Sequence, residues 1–119
     1  MASILIVDDS RTSRKILRGI LEDMGHTIIG EAKNGEEGVA MFKELRPDAV
    51  TMDITMPVMD GVTAMKQIHA VDANTKIITI TASGQRGKII ECLKDGACEF
   101  ITKPYVAEEI KETIKKKLN

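Results

Sequence analysis

Short apolar runs of strand length alternate along this chain of 119 residues with stretches in which apolar residues recur every three or four positions. A run of four to eight apolar residues is typical of a buried strand, and the wider spacing is typical of a helix with one buried face. Strands that alternate with helices indicate βα units and a parallel sheet. We count five such units, so the sequence predicts an α/β fold: a five-stranded parallel sheet with helices on both faces.

The same pattern gives the approximate limits of the elements. The predicted strands are about Ser3 to Val7, Thr27 to Glu31, Asp48 to Met52, Lys76 to Thr81 and Glu99 to Thr102. The predicted buried stripes are Ile16, Leu17, Ile20, Leu21 and Met24 in the first helix, Val39, Phe42 and Leu45 in the second, and Val106, Ile110, Ile114 and Leu118 in the last. No linker or internal repeat interrupts the pattern, so we expect one domain spanning residues 1–119.

Charge and hydropathy exclude several classes of protein. The chain has 17 Lys and Arg residues against 18 Asp and Glu residues, so no net field attracts it to nucleic acid or to an anionic membrane. No stretch approaches the roughly 20 apolar residues of a membrane span, and the N-terminus has no signal-peptide pattern. We therefore expect a cytoplasmic protein whose partners are neither nucleic acid nor membrane.

Polar side chains follow the predicted strands at the points where the strands end. Asp8 and Asp9 follow the first strand, Asp53 the third, and Lys103 the fifth, while Thr81 ends the fourth. The carboxyl ends of parallel strands share one edge of the sheet, which is where open α/β folds bind ligands. The sequence therefore predicts one pocket that contains three carboxylates, an ammonium group and a hydroxyl.

A cluster of acids repels itself unless a cation lies within it. Oxygen ligands favour Mg²⁺ over Zn²⁺, so we expect a magnesium site. The chemistry that such a site favours is phosphoryl transfer to a carboxylate. Taken alone, the pair Asp8-Asp9 has another interpretation, because acids after a strand often cap the next helix and stabilise its positive end.

Four motifs resemble the signature of the receiver domain of bacterial response regulators. They are Val7-Asp8-Asp9-Ser10, Met52-Asp53-Ile54-Thr55-Met56-Pro57-Val58-Met59-Asp60-Gly61, Thr81-Ala82 and Lys103-Pro104. The resemblance covers the whole chain and is closest to the single-domain chemotaxis regulators of that family. It implies a flavodoxin-like (βα)5 fold with strand order 2-1-3-4-5.

The resemblance also implies a role for each residue of the pocket. Asp53 is expected to accept the phosphoryl group. Asp9 and Asp53 would bind Mg²⁺ directly, Asp8 would act mainly through a metal-bound water, and the backbone carbonyl of Thr55 would supply a further ligand. Lys103 would pair with Asp53 or with the phosphoryl oxygens; the alternative for this lysine is a solvated surface charge.

Two further residues are expected to report the modification to the protein surface. The Thr81 hydroxyl can donate to a phosphoryl oxygen, and its movement would make room for the ring of Phe100. An ordinary core role for Phe100 stays open. The resemblance implies a cis Lys103-Pro104 bond, although a proline that simply ends the strand would also fit. It places Tyr105 on the output surface.

We expect a stand-alone signalling switch that a histidine kinase phosphorylates and that then binds a flagellar-motor component or another output protein as a monomer. It would not be an enzyme beyond its own Mg²⁺-dependent phosphorylation and dephosphorylation. Small hydroxyl residues at Thr55 and Ser83 predict intermediate self-dephosphorylation, which leaves room for a helper phosphatase. The alternatives are a phosphorelay intermediate, a detached receiver of a DNA-binding regulator, and a Mg²⁺-dependent hydrolase of the same topology.

Overall fold

The computed structural model describes residues 1–54, 56, 58–82, 87, 90, 93, 94, 96, 97 and 99–118. Within them the strands are β1 (Ser3–Val7), β2 (Thr27–Ala32), β3 (Ala49–Asp53), β4 (Lys76–Ala82) and β5 (Glu99–Lys103). The helices are α1 (Arg11–Asp23), α2 (Gly35–Leu45), α3 (Gly61–Val71) and α4 (Ala107–Leu118). The helix predicted between β4 and β5 falls largely outside the described residues. Among the helices that are described, none has the length and apolar character that crossing a bilayer requires.

All strand pairs in the sheet are parallel, and the order is β2-β1-β3-β4-β5. This confirms both the predicted fold class and the strand order implied by the resemblance. The order places β1 and β3 side by side at the centre, with β2 and β5 at the edges. The order in which strands are added to the sheet reverses between β1 and β3, and a crevice at the carboxyl ends of the strands is the expected ligand site at such a point.

Apolar side chains cover both faces of the sheet, as expected for parallel strands that are connected by helices. One core joins the sheet to α2 and α3 and includes Leu5, Val7, Val39, Phe42, Val50, Met52, Met65 and Ile68. The other joins the sheet to α1 and α4 and includes Ile4, Ile6, Leu17, Leu21, Ile78, Ile80, Ile110 and Ile114. The two-residue period of each strand sends alternate side chains to the two cores. This double burial fixes the register of the central strands and hence the positions of their ends.

Three predicted buried positions are wrong, since Ile16, Leu45 and Val106 are exposed. Val106 precedes α4, which begins at Ala107, so the helical period does not extend to it. Leu45 is the last residue of α2 and lies against Gly30 of the edge strand β2, where the sheet covers only one side of it. Ile16 borders the buried stripe of α1, whose fully buried members are Leu17 and Leu21.

Candidate functional site

The predicted charged residues lie at the carboxyl ends of three strands. Asp8 and Asp9 follow β1 directly, Asp53 is the last residue of β3, and Lys103 is the last residue of β5. The final residue of β1 lies opposite Met52 in the register of the two strands. Asp8 and Asp53 are therefore level with each other on adjacent strands, as the sequence predicted.

Asp8, Asp9 and Asp53 form a compact acidic cluster. Each contributes a carboxylate oxygen, and these oxygens all lie within 4.8 Å of one another. Asp8 is fully buried and Asp53 is 7% exposed, whereas Asp9 is exposed. Two carboxylates thus lose most of their contact with water at a place where they repel each other, which is unfavourable unless positive charge balances them.

Lys103 supplies part of that positive charge. Its Nζ lies 3.1 Å from Asp8 Oδ2 and 3.3 Å from Asp53 Oδ2, so one ammonium group bridges two carboxylates. Burial alone would lower the pKa of Lys103, but the charges of Asp53 and Asp8 and the hydrogen bonds to them raise it. The lysine is therefore held in its charged form. The Lys103-Pro104 bond is cis, as the resemblance implied.

The loop after β1 holds Asp8 in place. Asp8 Oδ1 accepts the Ser10 backbone N–H at 2.8 Å, and Arg14 donates to the Asp8 carbonyl at 2.7 Å. Ser10 caps α1 by accepting the Ser13 N–H at 3.2 Å. Ser10 therefore caps α1, and the alternative that Asp8 and Asp9 serve to cap this helix is not needed.

Gly61 allows the start of α3 to approach the end of β3. A Cβ at position 61 would meet the Asp53 carbonyl oxygen and would lie 2.6 Å from Ile54 Cα. Only glycine avoids this contact with the backbone. Asp60 caps α3 by accepting the Thr63 N–H at 2.8 Å, and the Gly61 N–H donates to the Ile54 carbonyl at 3.2 Å, so the helix begins beside the end of β3.

Thr81 and Phe100 lie on the neighbouring strands β4 and β5. Thr81 is 1% exposed, and its hydroxyl donates to the Ala82 carbonyl at 2.8 Å. Phe100 is half-buried and lies opposite Thr79, whose side chain is on the same face of β4 as that of Thr81. The two predicted switch residues therefore share one face of the sheet. Thr55 and Ser83, the other predicted site residues, lie outside the described residues.

Two groups beside the cluster have contacts that the sequence did not indicate. The ring of Tyr105 packs on the core beside α1 and α4, and its hydroxyl oxygen is buried. Burial and the charges of Asp8 and Asp53 raise the pKa of Tyr105, and its place on the output surface stays a prediction. Arg14 and Arg18 both pair with Glu31, at 3.2 Å and 2.6 Å, beside the β1 loop. A tyrosine two positions after Lys103 was a visible signal, whereas no sequence pattern joins Glu31 to the arginines.

The cluster fits a magnesium ion. Among the described residues, three carboxylates meet one ammonium group, which leaves an excess of two negative charges. The available ligands are oxygens, and Asp9 is open to solvent, which suits an ion that keeps several waters. A divalent cation therefore matches both the charge and the chemistry of the site.

Over residues 4–115 the chain matches the family described as response regulator receiver domain. It is 47% identical to the chemotaxis protein CheY of Bacillus subtilis, over 98% of this chain and 97% of that protein. The identity to CheY of Thermotoga maritima is also 47%, over 95% of this chain and 94% of that one. Among solved structures, a chain of the CheX-CheY-BeF3-Mg²⁺ complex from Borrelia burgdorferi has a TM-score of 0.92 and 39% identity, with 96% of this chain and 87% of that chain covered.

These likenesses agree with the fold and with the acidic edge of the sheet. The family match includes Asp8, Asp9, Asp53 and Lys103, and the curated relatives are covered almost end to end. The chain belongs to the response regulator receiver domain family, is closely related to the CheY chemotaxis proteins, and is a phosphoacceptor signalling switch.

Proposed function

We propose that residues 1–119 act as one receiver domain, which accepts a phosphoryl group from a histidine kinase on Asp53 and then binds an output protein in chemotaxis. The observation that carries the proposal is the single ammonium group of Lys103 between the carboxylates of Asp8 and Asp53. This arrangement leaves one nucleophilic carboxylate beside a positive group and within an acidic cation site.

Burial and hydrogen bonding distinguish Asp53 from its two neighbours. Asp8 is fully buried and is held through Oδ1 by the Ser10 N–H, so a phosphoryl donor has no approach to it. Asp9 is exposed and makes no ion pair with Lys103 among the described contacts. Asp53 retains a small exposed area and lies 3.3 Å from the Lys103 ammonium. It is therefore the carboxylate best placed to attack phosphorus.

Asp8, Asp9 and Asp53 would hold Mg²⁺, which when bound neutralises charge on the phosphoryl oxygens and so lets an anionic carboxylate approach an anionic donor. In the transfer, an Asp53 oxygen bonds to phosphorus as the bond from phosphorus to the donor nitrogen breaks. The donor imidazole leaves with that electron pair and takes up a proton. Lys103 then pairs with the new phosphoryl oxygens.

The proposed readout begins at Thr81. Its hydroxyl donates to the Ala82 carbonyl in this structure, and a phosphoryl group on Asp53 offers a charged and therefore stronger acceptor. Exchange of that hydrogen bond would move Thr81 toward Asp53. Phe100, half-buried on the same face of the sheet, would then turn inward and change the surface near β5.

The solved relative from Borrelia burgdorferi supports the proposed chemistry and the existence of partners. It contains CheY with CheX, Mg²⁺ and BeF3, a group that stands in for a phosphoryl group. By analogy, we propose that the phosphorylated form of this chain is the one that binds a flagellar-motor component or another output protein. A helper phosphatase is a further proposed partner, and the protein is proposed to act as a monomer.

Intact-mass analysis after incubation with Mg²⁺ and acetyl phosphate tests the proposal. We expect one labile phosphoryl group per chain, dependent on Mg²⁺ and absent from Asp53→Asn. Asp60→Asn is the matched control, because it changes a nearby carboxylate whose helix-capping role asparagine also fills. An adduct that survives Asp53→Asn, or no adduct in the native protein, would refute the proposal. Steady release of phosphate from a phosphoester would instead favour the hydrolase.

A further inference from the structure

Arg14 connects the acidic cluster to the edge of the sheet. Its Nη1 donates to the Asp8 carbonyl oxygen at 2.7 Å, and its Nε donates to Glu31 Oε1 at 3.2 Å. Arg14 lies near the start of α1, whereas Glu31 is the next-to-last residue of the edge strand β2. One guanidinium group therefore bridges α1, β2 and the loop that carries Asp8 and Asp9.

Glu31 is a fixed anchor for Arg14. Its other carboxylate oxygen, Oε2, accepts a hydrogen bond from Arg18 Nη1 at 2.6 Å, so both oxygens are held. The side chains of Arg14 and Glu31 are 16% and 28% exposed, so water screens this pair less than it screens a surface ion pair. The backbone is joined at the same place, because the Asp8 N–H donates to the Ala32 carbonyl at 3.0 Å. The sheet, and not α1 alone, thus determines where the guanidinium lies.

The carbonyl that Arg14 contacts belongs to the peptide bond between Asp8 and Asp9. A peptide bond is planar, so a hydrogen bond that fixes its oxygen also fixes the direction in which the chain continues to the Asp9 Cα. Asp8 is fully buried, but Asp9 is exposed, so packing does little to hold the Asp9 carboxylate. The orientation of this peptide therefore helps to keep an Asp9 oxygen within 4.8 Å of those of the other two acids.

We infer that Arg14, anchored by Glu31, is a positioning residue of the cation site: it holds the Asp8-Asp9 peptide and so keeps the Asp9 carboxylate in the acidic cluster. The inference rests on the proposed function, in which these carboxylates hold Mg²⁺. Arg14 supplies no ligand itself, because a guanidinium group is positive and only donates hydrogen bonds. Groups that orient metal ligands typically change metal affinity 10- to 100-fold when they are removed.

The sign of the effect separates this role from two others. If Arg14 acted only through its charge, its removal would take a positive group away from a cation site, and Mg²⁺ would bind more tightly. If its pair with Glu31 only joined α1 to β2, the loss of that pair would lower the stability of the fold and leave the Mg²⁺ affinity unchanged. Only positioning predicts weaker Mg²⁺ binding when the hydrogen bond to the Asp8 carbonyl is lost.

Three variants isolate that hydrogen bond. Arg14→Met removes the donors but keeps an unbranched side chain with a similar helix propensity. Arg14→Lys keeps the positive charge but not the planar fork that reaches Asp8 and Glu31 together. Arg18→Met is the matched control: Arg18 lies one turn further along α1 and pairs with the same Glu31, but its partners among the described residues are Glu22 and Glu31 rather than the loop.

The test measures the Mg²⁺ dissociation constant by calorimetry for the native protein and the three variants, with urea denaturation in EDTA to show that each is folded. We expect Arg14→Met to bind Mg²⁺ about tenfold more weakly than the native protein. Arg14→Lys should have an affinity between those two, and Arg18→Met should bind Mg²⁺ no more weakly than the native protein. At saturating Mg²⁺, Arg14→Met should still accept a phosphoryl group from acetyl phosphate, because Arg14 does not touch the reacting atoms.

Native-like or tighter Mg²⁺ binding by Arg14→Met would overturn the inference, whatever the change in stability. So would an equal weakening in Arg18→Met, because the effect would then come from Glu31 or the helix and not from the Asp8 carbonyl. If Arg14→Met does not fold, Arg14→Lys decides, and native affinity in that variant would overturn the inference. If the native protein binds Mg²⁺ and is phosphorylated on Asp53, the proposed function survives each of these results; if it binds no Mg²⁺, both fail.

Discussion

Neutralising Asp53 should stabilise the protein in the absence of Mg²⁺, even though it removes the proposed phosphate acceptor. Asp53 is 7% exposed and lies among Asp8, Asp9 and Lys103. In Asp53→Asn, the ammonium of Lys103 pairs with the carboxylate of Asp8 alone. One positive and one negative charge then balance, whereas in the native protein the same ammonium is shared by two carboxylates.

The geometry gives the size of the effect. At an effective dielectric of about 20, the 3.3 Å pair of Asp53 with Lys103 contributes about 5 kcal/mol of attraction. Repulsion from Asp8, within 4.8 Å, is at least about 3.5 kcal/mol on the same basis. Exposed Asp9, screened by water, adds about 1 kcal/mol more. Among the contacts of the described residues these contributions nearly cancel, so the desolvation of the Asp53 carboxylate, several kcal/mol for a buried ion, determines the sign that we expect.

Asparagine keeps part of that desolvation penalty, so we expect a net stabilisation of about 2 kcal/mol. For a chain of this length, about 4 °C per kcal/mol gives a rise of about 8 °C in Tm. Thermal unfolding monitored by circular dichroism with EDTA present measures it. Exposed Glu44→Gln is the control and should change the unfolding free energy by no more than about 0.5 kcal/mol.

Saturating Mg²⁺ should make the native protein more stable than Asp53→Asn. At 100 times its dissociation constant, Mg²⁺ stabilises the native protein by about 2.7 kcal/mol through mass action, and Asp53→Asn should gain much less. A Tm for Asp53→Asn that equals or falls below the native value in EDTA would refute the reasoning about charge crowding.

Three further predictions concern stability. Thr51→Val should raise the free energy of unfolding in urea by about 1 kcal/mol, because the Thr51 hydroxyl is buried with no hydrogen-bond partner in the described residues; a decrease would show that it has one. Gly61→Ala should lower that free energy by about 1–3 kcal/mol and slow phosphorylation, because its Cβ meets the Asp53 carbonyl; native-like values would contradict this. Burial, and to a smaller extent the N-terminal charge, lowers the pKa of His26 in the folded chain. Below about pH 6.5 the His26 imidazole is therefore protonated more readily in the unfolded chain than in the folded one. Stability should therefore fall as the pH drops below about 6.5, by up to about 1.4 kcal/mol per pH unit for this one group; His26→Gln should lack this contribution, and an unchanged pH profile in that variant would contradict the assignment.

The sequence predicts the central elements well because their burial is two-sided. The residues of β1 from Ile4 to Val7 are all fully buried, and an apolar run of this length between helical patterns has few alternatives. Once the strands are parallel, the positions of Asp8, Asp53 and Lys103 at one edge follow from the topology. The acidic cluster was therefore predictable before any coordinates.

Other features depend on where an element ends and how far a side chain reaches. Periodicity gives the buried face of a helix but not the point where the sheet stops covering it, which is why Leu45 and Val106 were assigned to the core. Likewise, the path of the chain from β5 to α4 determines that the ring of Tyr105 packs on the core beside α1 and α4, which no spacing in the sequence shows. The steric role of Gly61 required the distance to the Asp53 backbone.

In the proposed function, the side chain of Asp53 carries the phosphoryl group. Borohydride reduces an acyl phosphate to an alcohol and so converts a phosphorylated aspartate to homoserine, which tandem mass spectrometry locates in the sequence. After incubation with acetyl phosphate, we predict homoserine at position 53 with Mg²⁺ and at no position with EDTA. Homoserine at position 8 or 9, or at position 53 regardless of Mg²⁺, would contradict the account.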